Sequence, residues 1–174
     1  VETDQLRLWS EDNFGQDLLF NVRNGGIYYK DMSLNVAARG VNITTLGNGP
    51  SVAAQVLVSD NSRHVLAFGC NPVDSATRDP LLVRWSTSEN IAQWTPDTTN
   101  TAGSLRFDGG SVFMKAVETT TETLVFTDAT LHSLRFIGPP FTFGQTRIGT
   151  NIQLIGPNAV TSTGSITAWM ANGR

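Results

Sequence analysis

The sequence predicts an all-β protein built from β-propeller-type blades of antiparallel strands, with a β-sandwich as the alternative. Three observations lead there. Helical periodicity is nearly absent along the chain. Short segments rich in Val, Ile, Phe, Thr and Trp recur between turn residues, the pattern of strands joined in hairpins. Four of these units share one order: a short strand, a polar turn, then a second strand with an aromatic residue near its middle.

The first unit runs Asp17 to Val22, turns through Arg23-Asn24-Gly25-Gly26 and returns as Ile27 to Lys30. Asn24-Gly25 predicts a type I′ turn, which needs positive φ at both central residues. The second runs Ala53 to Val58, turns near Asp60-Asn61 and returns as His64 to Gly69. The third runs Val112 to Val117, turns near Thr119-Thr120 and returns as Thr123 to Thr127. The fourth is Ala159 to Thr161, a turn at Thr163-Gly164, and Ser165 to Met170. Third strands are expected at Leu81–Ser86 and Leu131–Phe136, and short fourth strands at Ile91–Trp94 and Phe141–Phe143. On this reading Trp85 and Phe136, each following an arginine, hold equivalent places in successive blades.

Four strands per unit, repeated at roughly 40–60 residues, is the spacing of propeller blades. The within-unit order of strands favours this over a sandwich, which also strings short strands between turns. At about 45 residues per blade, 174 residues make three or four. The last unit stops after its second strand, and a closed circle tolerates no half-blade with an unpaired edge. The expectation is therefore a single β-rich domain over 1–174 that is an incomplete propeller, a piece of a larger protein that begins in mid-stream without an initiator Met.

Charged residues make up 16% of the chain, below the quarter that is usual, which suits strands with neutral polar outer faces. The net charge of −3 and the lack of any Lys/Arg run argue against a nucleic-acid groove. No apolar run approaches the roughly 20 residues of a membrane helix, so no membrane insertion is expected. One cysteine, Cys70, excludes an intrachain disulfide and is expected to be a buried small hydrophobe.

A search for chemistry assigns no catalytic, cofactor-binding or metal-binding residue. His64 and His132 are far apart in sequence and are expected to be strand residues facing solvent or a neighbour. No G-x-S-x-G elbow accompanies them. One Cys and two dispersed His make no zinc cage. Glu11-Asp12 and Asp60-Asn61 lack the ligand alternation of a calcium loop. Gly47-Asn48-Gly49-Pro50 has no following Lys-Ser/Thr and is expected to be a turn. Asn42-Ile43-Thr44 matches a glycosylation sequon, a pattern common by chance. Asp79, Glu89, Asp97, Glu118 and Asp128 are available to a glycosidase-type pair, which needs two of them facing across a cleft. The aspartate box of sialidases is missing. Trp9, Trp85, Trp94 and Trp169 are expected in the core or at interfaces rather than as a sugar platform.

One string is dense and unusual: Asp79-Pro80-Leu81-Leu82-Val83-Arg84-Trp85-Ser86, then Glu89, Trp94-Thr95-Pro96 and Asn100-Thr101-Ala102-Gly103. It resembles a segment of the tail nozzle, or tail hub, proteins of short-tailed bacteriophages. Trp9 to Leu19, and Leu134 to Phe143 with Gly156-Pro157-Asn158-Ala159, resemble the same family in the same order. The likeness spans about Trp9 to Gly173. It implies a non-enzymatic structural virion protein, located in the phage tail. Its partners would be copies of itself in a ring, the tail adaptor above and fibre proteins below. DNA would be retained and ejected through the ring without specific binding, and no cofactor is implied. Members of that family are several times longer and carry a second β-rich platform. The functional alternative is a carbohydrate-binding or glycan-hydrolysing propeller of a tail fibre or secreted lectin.

Overall fold

The computed structural model describes residues 7–172. They form an all-β structure of four antiparallel sheets, without α-helix among the described residues. The first sheet holds β1 (Trp9–Phe14), β2 (Asp17–Val22), β3 (Ile27–Lys30) and β4 (Val41–Asn42). The second holds β5 (Gln55–Val58), β6 (Val65–Phe68), β7 (Leu82–Trp85) and β8 (Gly103–Arg106). The third holds β9 (Phe113–Glu118), β10 (Thr123–Thr127), β11 (Thr130–Gly138) and β12 (Thr142–Thr150). The fourth is the hairpin of β13 (Val160–Thr163) and β14 (Ile166–Trp169). In every sheet each strand pairs with the next in the chain, so each is a simple meander.

The sheets stand in series. β1 neighbours β5, β5 neighbours β9, and β9 neighbours β13. Apolar residues alternate along β5 and β6, and the two faces pack on different neighbours. Val56, Val58, Val65 and Ala67 pack with Leu19 and Ile27 of the first sheet. Leu57, Leu66, Phe68, Val83 and Trp85 face the third sheet and meet Phe113, Val125, Leu134 and Phe143. Phe68 stacks on Phe113 with centroids 5.1 Å apart, an aromatic pair that adds about 0.5–1.5 kcal/mol beyond its area. A third cluster joins Leu124, Phe126 and Leu131 to Leu154 and Val160 beside the fourth sheet.

β5 lies at the open edge of its sheet, and an open edge leaves alternate N–H groups unpaired. Here side chains of other sheets take them. Val56 N–H donates to Ser10 Oγ at 3.0 Å and Val58 N–H to Asp12 Oδ2 at 2.8 Å, both from β1. Beyond the strand, Asp60 N–H donates to Glu118 Oε1 of β9 at 3.0 Å. Gln55 of β5 makes the corresponding link forward. Its Oε1 accepts from Ala116 N–H at 3.0 Å and its Nε2 donates to the Ala116 carbonyl at 2.8 Å.

The four expected turns all fall between paired strands, but two expectations about them change. The Asn24-Gly25 hairpin joins the second and third strands of its sheet, not the first and second, because β1 precedes it. Only Asn24 has positive φ (61°), so the turn is not type I′. The Gly25 carbonyl is engaged elsewhere, accepting from Ala53 N–H at 2.9 Å. Ile91–Trp94 is not a strand. The fourth strand of the second sheet is β8, and Trp94 sits in the long loop before it. The indole fills the core against Val56 and Val65, and Trp94 N–H donates to Asn48 Oδ1 at 2.6 Å.

Trp85 and Phe136 are not equivalent. Leu66 and Leu124 both face the following sheet; Leu66 pairs with Trp85, and Leu124 pairs with Ser133. The counterpart of Trp85 is therefore Ser133, three residues before Phe136. Trp85 is buried, whereas Phe136 is 46% exposed on the outer part of the long β11–β12 hairpin. By the same count Arg84, opposite Ala67, corresponds to His132, opposite Val125.

Candidate functional site

Those two residues, Arg84 and His132, are the most deeply buried charged or titratable groups in the third strands. Arg84 is 1% exposed. Its guanidinium donates to the carbonyls of Asn71 (3.2 Å), Asn48 (3.1 Å) and Trp94 (3.5 Å), tying three loops to β7. Burial pulls its pKa below the usual arginine value, and its Nε has no partner. Five donors arranged as a fork explain why an arginine can gather three carbonyls that no lysine could reach together.

His132 is wholly buried on β11. Its Nε2 shares a hydrogen bond with Thr130 Oγ1 at 2.8 Å, and that hydroxyl lies 2.8 Å from Thr127 Oγ1. Asp108 stands 3.7 Å from Nδ1 and pairs instead with Arg147 at 3.0 Å. The order acid, imidazole, hydroxyl is that of a catalytic triad, but the geometry serves another purpose. The Asp108–Nδ1 separation is too long for a hydrogen bond. Thr130 Oγ1 is buried and also 3.0 Å from the Gly109 carbonyl, so it is committed within the network. Burial lowers the His132 pKa, against the opposing pull of Asp108, and keeps the ring neutral. The arrangement fastens the 108–110 loop to the centre of the third sheet. Thr130 and His132 share a strand face by the two-residue alternation, the signal that could have joined them from sequence.

Neither histidine faces solvent; both face neighbours, one of the two orientations the sequence left open. His64 is 1% exposed and precedes β6 rather than lying in it. Its ring sits edge-on to Phe143, with centroids 5.3 Å apart, and its Nε2 meets Thr101 Oγ1 at 3.0 Å. Cys70 is buried as expected, and burial pushes its thiol up to about 12.

The five carboxylates considered for a glycosidase-type pair each answer to a different partner. Asp79 pairs with Arg106 and Glu89 with Arg63, both at 2.8 Å. Asp97 is held by Thr98 and Thr99. Asp128 accepts from Ser111 N–H (2.7 Å) and Val112 N–H (3.2 Å). Glu118 neighbours Asp12 and Asp60, and burial with these like charges lifts its pKa to about 7.

Of the four tryptophans, Trp85 and Trp94 are core; Trp9 is 57% and Trp169 41% exposed. Trp9 packs on Phe20, which stacks on Tyr28 at 5.5 Å, across the face of the first sheet turned away from the second. An open cleft of about 880 Å³ lies among Asp128, Asn151, Gln153, Leu154 and Asn172, with Asp128 its one carboxylate among the described residues. Among the described residues no group of three or more His, Cys, Asp or Glu is placed to hold a metal ion, and no helix is long and apolar enough to cross a membrane. Comparison with protein-family models and with curated proteins finds no match for this chain.

Proposed function

We propose that the chain is a structural part of a bacteriophage tail nozzle, folded as successive blades of a β-propeller. The observation that carries this reading is the serial order of meanders, with the first strands β1, β5, β9 and β13 each beside the next. A propeller places the first strand of every blade around its axis in this manner, whereas a sandwich pairs two sheets face to face. The sequence resemblance supplies the virion context. Side-chain bridges and buried polar ties spend the chain's chemistry on rigidity, which suits a particle part. In this reading the chain lies in a ring of its own copies, between the tail adaptor and the fibres. DNA passes without specific binding, and the chain performs no catalysis.

The test is a reconstruction of the tail of a virion that carries this chain. Ring-arranged density at the distal end, fitted by the four meanders, is the expected result. Absence of the chain from purified virions by mass spectrometry would sink the proposal. The exposed Trp9 beside Phe20 and Tyr28 favours a second reading, a glycan-binding surface, since sugars stack on such aromatics. Saturable binding on a glycan array, lost in Trp9→Ala, would replace the first reading with the second.

A further inference from the structure

At one end of the strand series, carboxylates from three sheets converge. Asp12 reaches from β1 to Val58 N–H, Glu118 reaches from β9 to Asp60 N–H, and Asp60 itself stands in the β5–β6 turn between them. Asp12 therefore holds the edge of β5 from one side, and Glu118 holds the turn that follows it from the other. Among the described residues no cation is paired with any of them. Glu118 borders a cavity of about 200 Å³ with Glu122, whose charge is matched by Arg135 at 2.8 Å. His64 packs on Phe136 and Phe143, which border the same cavity. Lys115, three residues back on β9, falls on the opposite pleat from Glu118, beside Arg23.

We propose that this seam is a proton-operated latch, closed while Glu118 is neutral and loosened when its charge joins those of Asp12 and Asp60. A neutral carboxyl keeps a carbonyl oxygen that can accept from Asp60 N–H. An ionised one accepts more strongly, but it adds a third like charge in a half-buried place. Burial and repulsion outweigh that bond, so ionisation is displaced from the ordinary carboxylate range to about 7. The sign follows. The unfolded chain releases this proton near 4.5 and the folded chain near 7, so the folded state gains from the proton below 4.5 and loses that gain as pH rises to 7.

Amide hydrogen exchange on the 174-residue chain, corrected for intrinsic rates, reads the latch directly. Protection at Val58 and Asp60 should fall on the order of tenfold as pH rises through 7, one pKa unit of coupling being a factor of ten. Glu118→Gln should abolish this transition, and Asp12→Asn should move its midpoint down by removing a like charge. His64→Gln should leave it in place, because burial lowers the His64 pKa and sets its titration below this range. A pH-independent wild type, a transition that survives Glu118→Gln, or one that vanishes in His64→Gln overturns the proposal.

Discussion

The second and third sheets follow one plan and part company at the centre of their third strands. Both are four-stranded meanders, and both bury a polar residue opposite the middle of the second strand. In the second sheet this is Arg84, gripping three backbone carbonyls; in the third it is His132, in a chain of threonine hydroxyls with Asp108 nearby. The difference tracks what the adjoining loops offer. The loops around β7 present bare carbonyls from residues 48, 71 and 94, which only donors can satisfy. The strand ends that flank the turn before β11 present the hydroxyls of Thr127 and Thr130, which both donate and accept and so suit a neutral imidazole. The position stays polar while the residue changes to fit its surroundings, because a buried polar group must find partners or cost stability.

This comparison can be broken by substitution. Arg84→Ala removes the donors of three carbonyls, two of them buried, and opens a void, so unfolding in urea should show a loss of about 3–5 kcal/mol. A loss no larger than that of a surface change would mean the carbonyls find water, and that Arg84 is not the tie inferred here. His132→Gln should cost less, about 1–3 kcal/mol at neutral pH, since an amide can still bond Thr130. It also carries a pH signature. Burial lowers the folded His132 pKa while the unfolded ring titrates near 6.5. The stabilisation is therefore full above 6.5 and is lost as pH falls below it. Thermal melts from neutral to mildly acidic pH should decline less steeply for the variant than for the wild type. One rung along, Trp85 lies over Gly103, where an added Cβ would stand 2.5 Å from the indole ring. Gly103→Ala should cost about 1–3 kcal/mol by overpacking, measured by the same urea titration. Its counterpart Ser133 bonds Glu122 and carries no such bulk. The smallest effect is expected at the tip of the third sheet's hairpin. Phe141 is 72% exposed, and Phe141→Ser should alter stability by no more than about 0.5 kcal/mol.

The apolar strands were legible from sequence, and the polar ones were not. β5, β6 and β10 are buried along their whole length and, Gln55 apart, read as apolar or β-branched runs. β1 reads Trp-Ser-Glu-Asp-Asn-Phe and escapes a pattern search, because Ser10 and Asp12 are polar to serve the neighbouring edge. Missing it shifted the phase of the first unit by one strand. β8 contains Gly103, chosen for the close fit to Trp85 rather than for strand propensity. In its place the aromatic Ile91–Trp94 stretch suggested a strand, although Trp94 reaches the core from a loop. The equivalence of Trp85 with Phe136 failed because a shared Arg-aromatic dipeptide says nothing of register, which the ladder from Leu66 and Leu124 decides. The burial of both histidines was equally hidden, since their partners Thr101 and Thr130 are ordinary in composition.

The edge of β5 has a consequence for how the molecule keeps its sheets in sequence. Its donors at 56 and 58 fit a serine and an aspartate spaced two apart on β1, and Ala116 of β9 fits a glutamine. These junctions are not interchangeable: each has its own lock and its own key. A copy of the second sheet inserted between the first and the second would offer Gln55 where Ser10 and Asp12 are needed. Lengthening such an array by simple duplication therefore creates a mismatched junction, and growth of the fold demands that the new edge be rewritten along with the new strands.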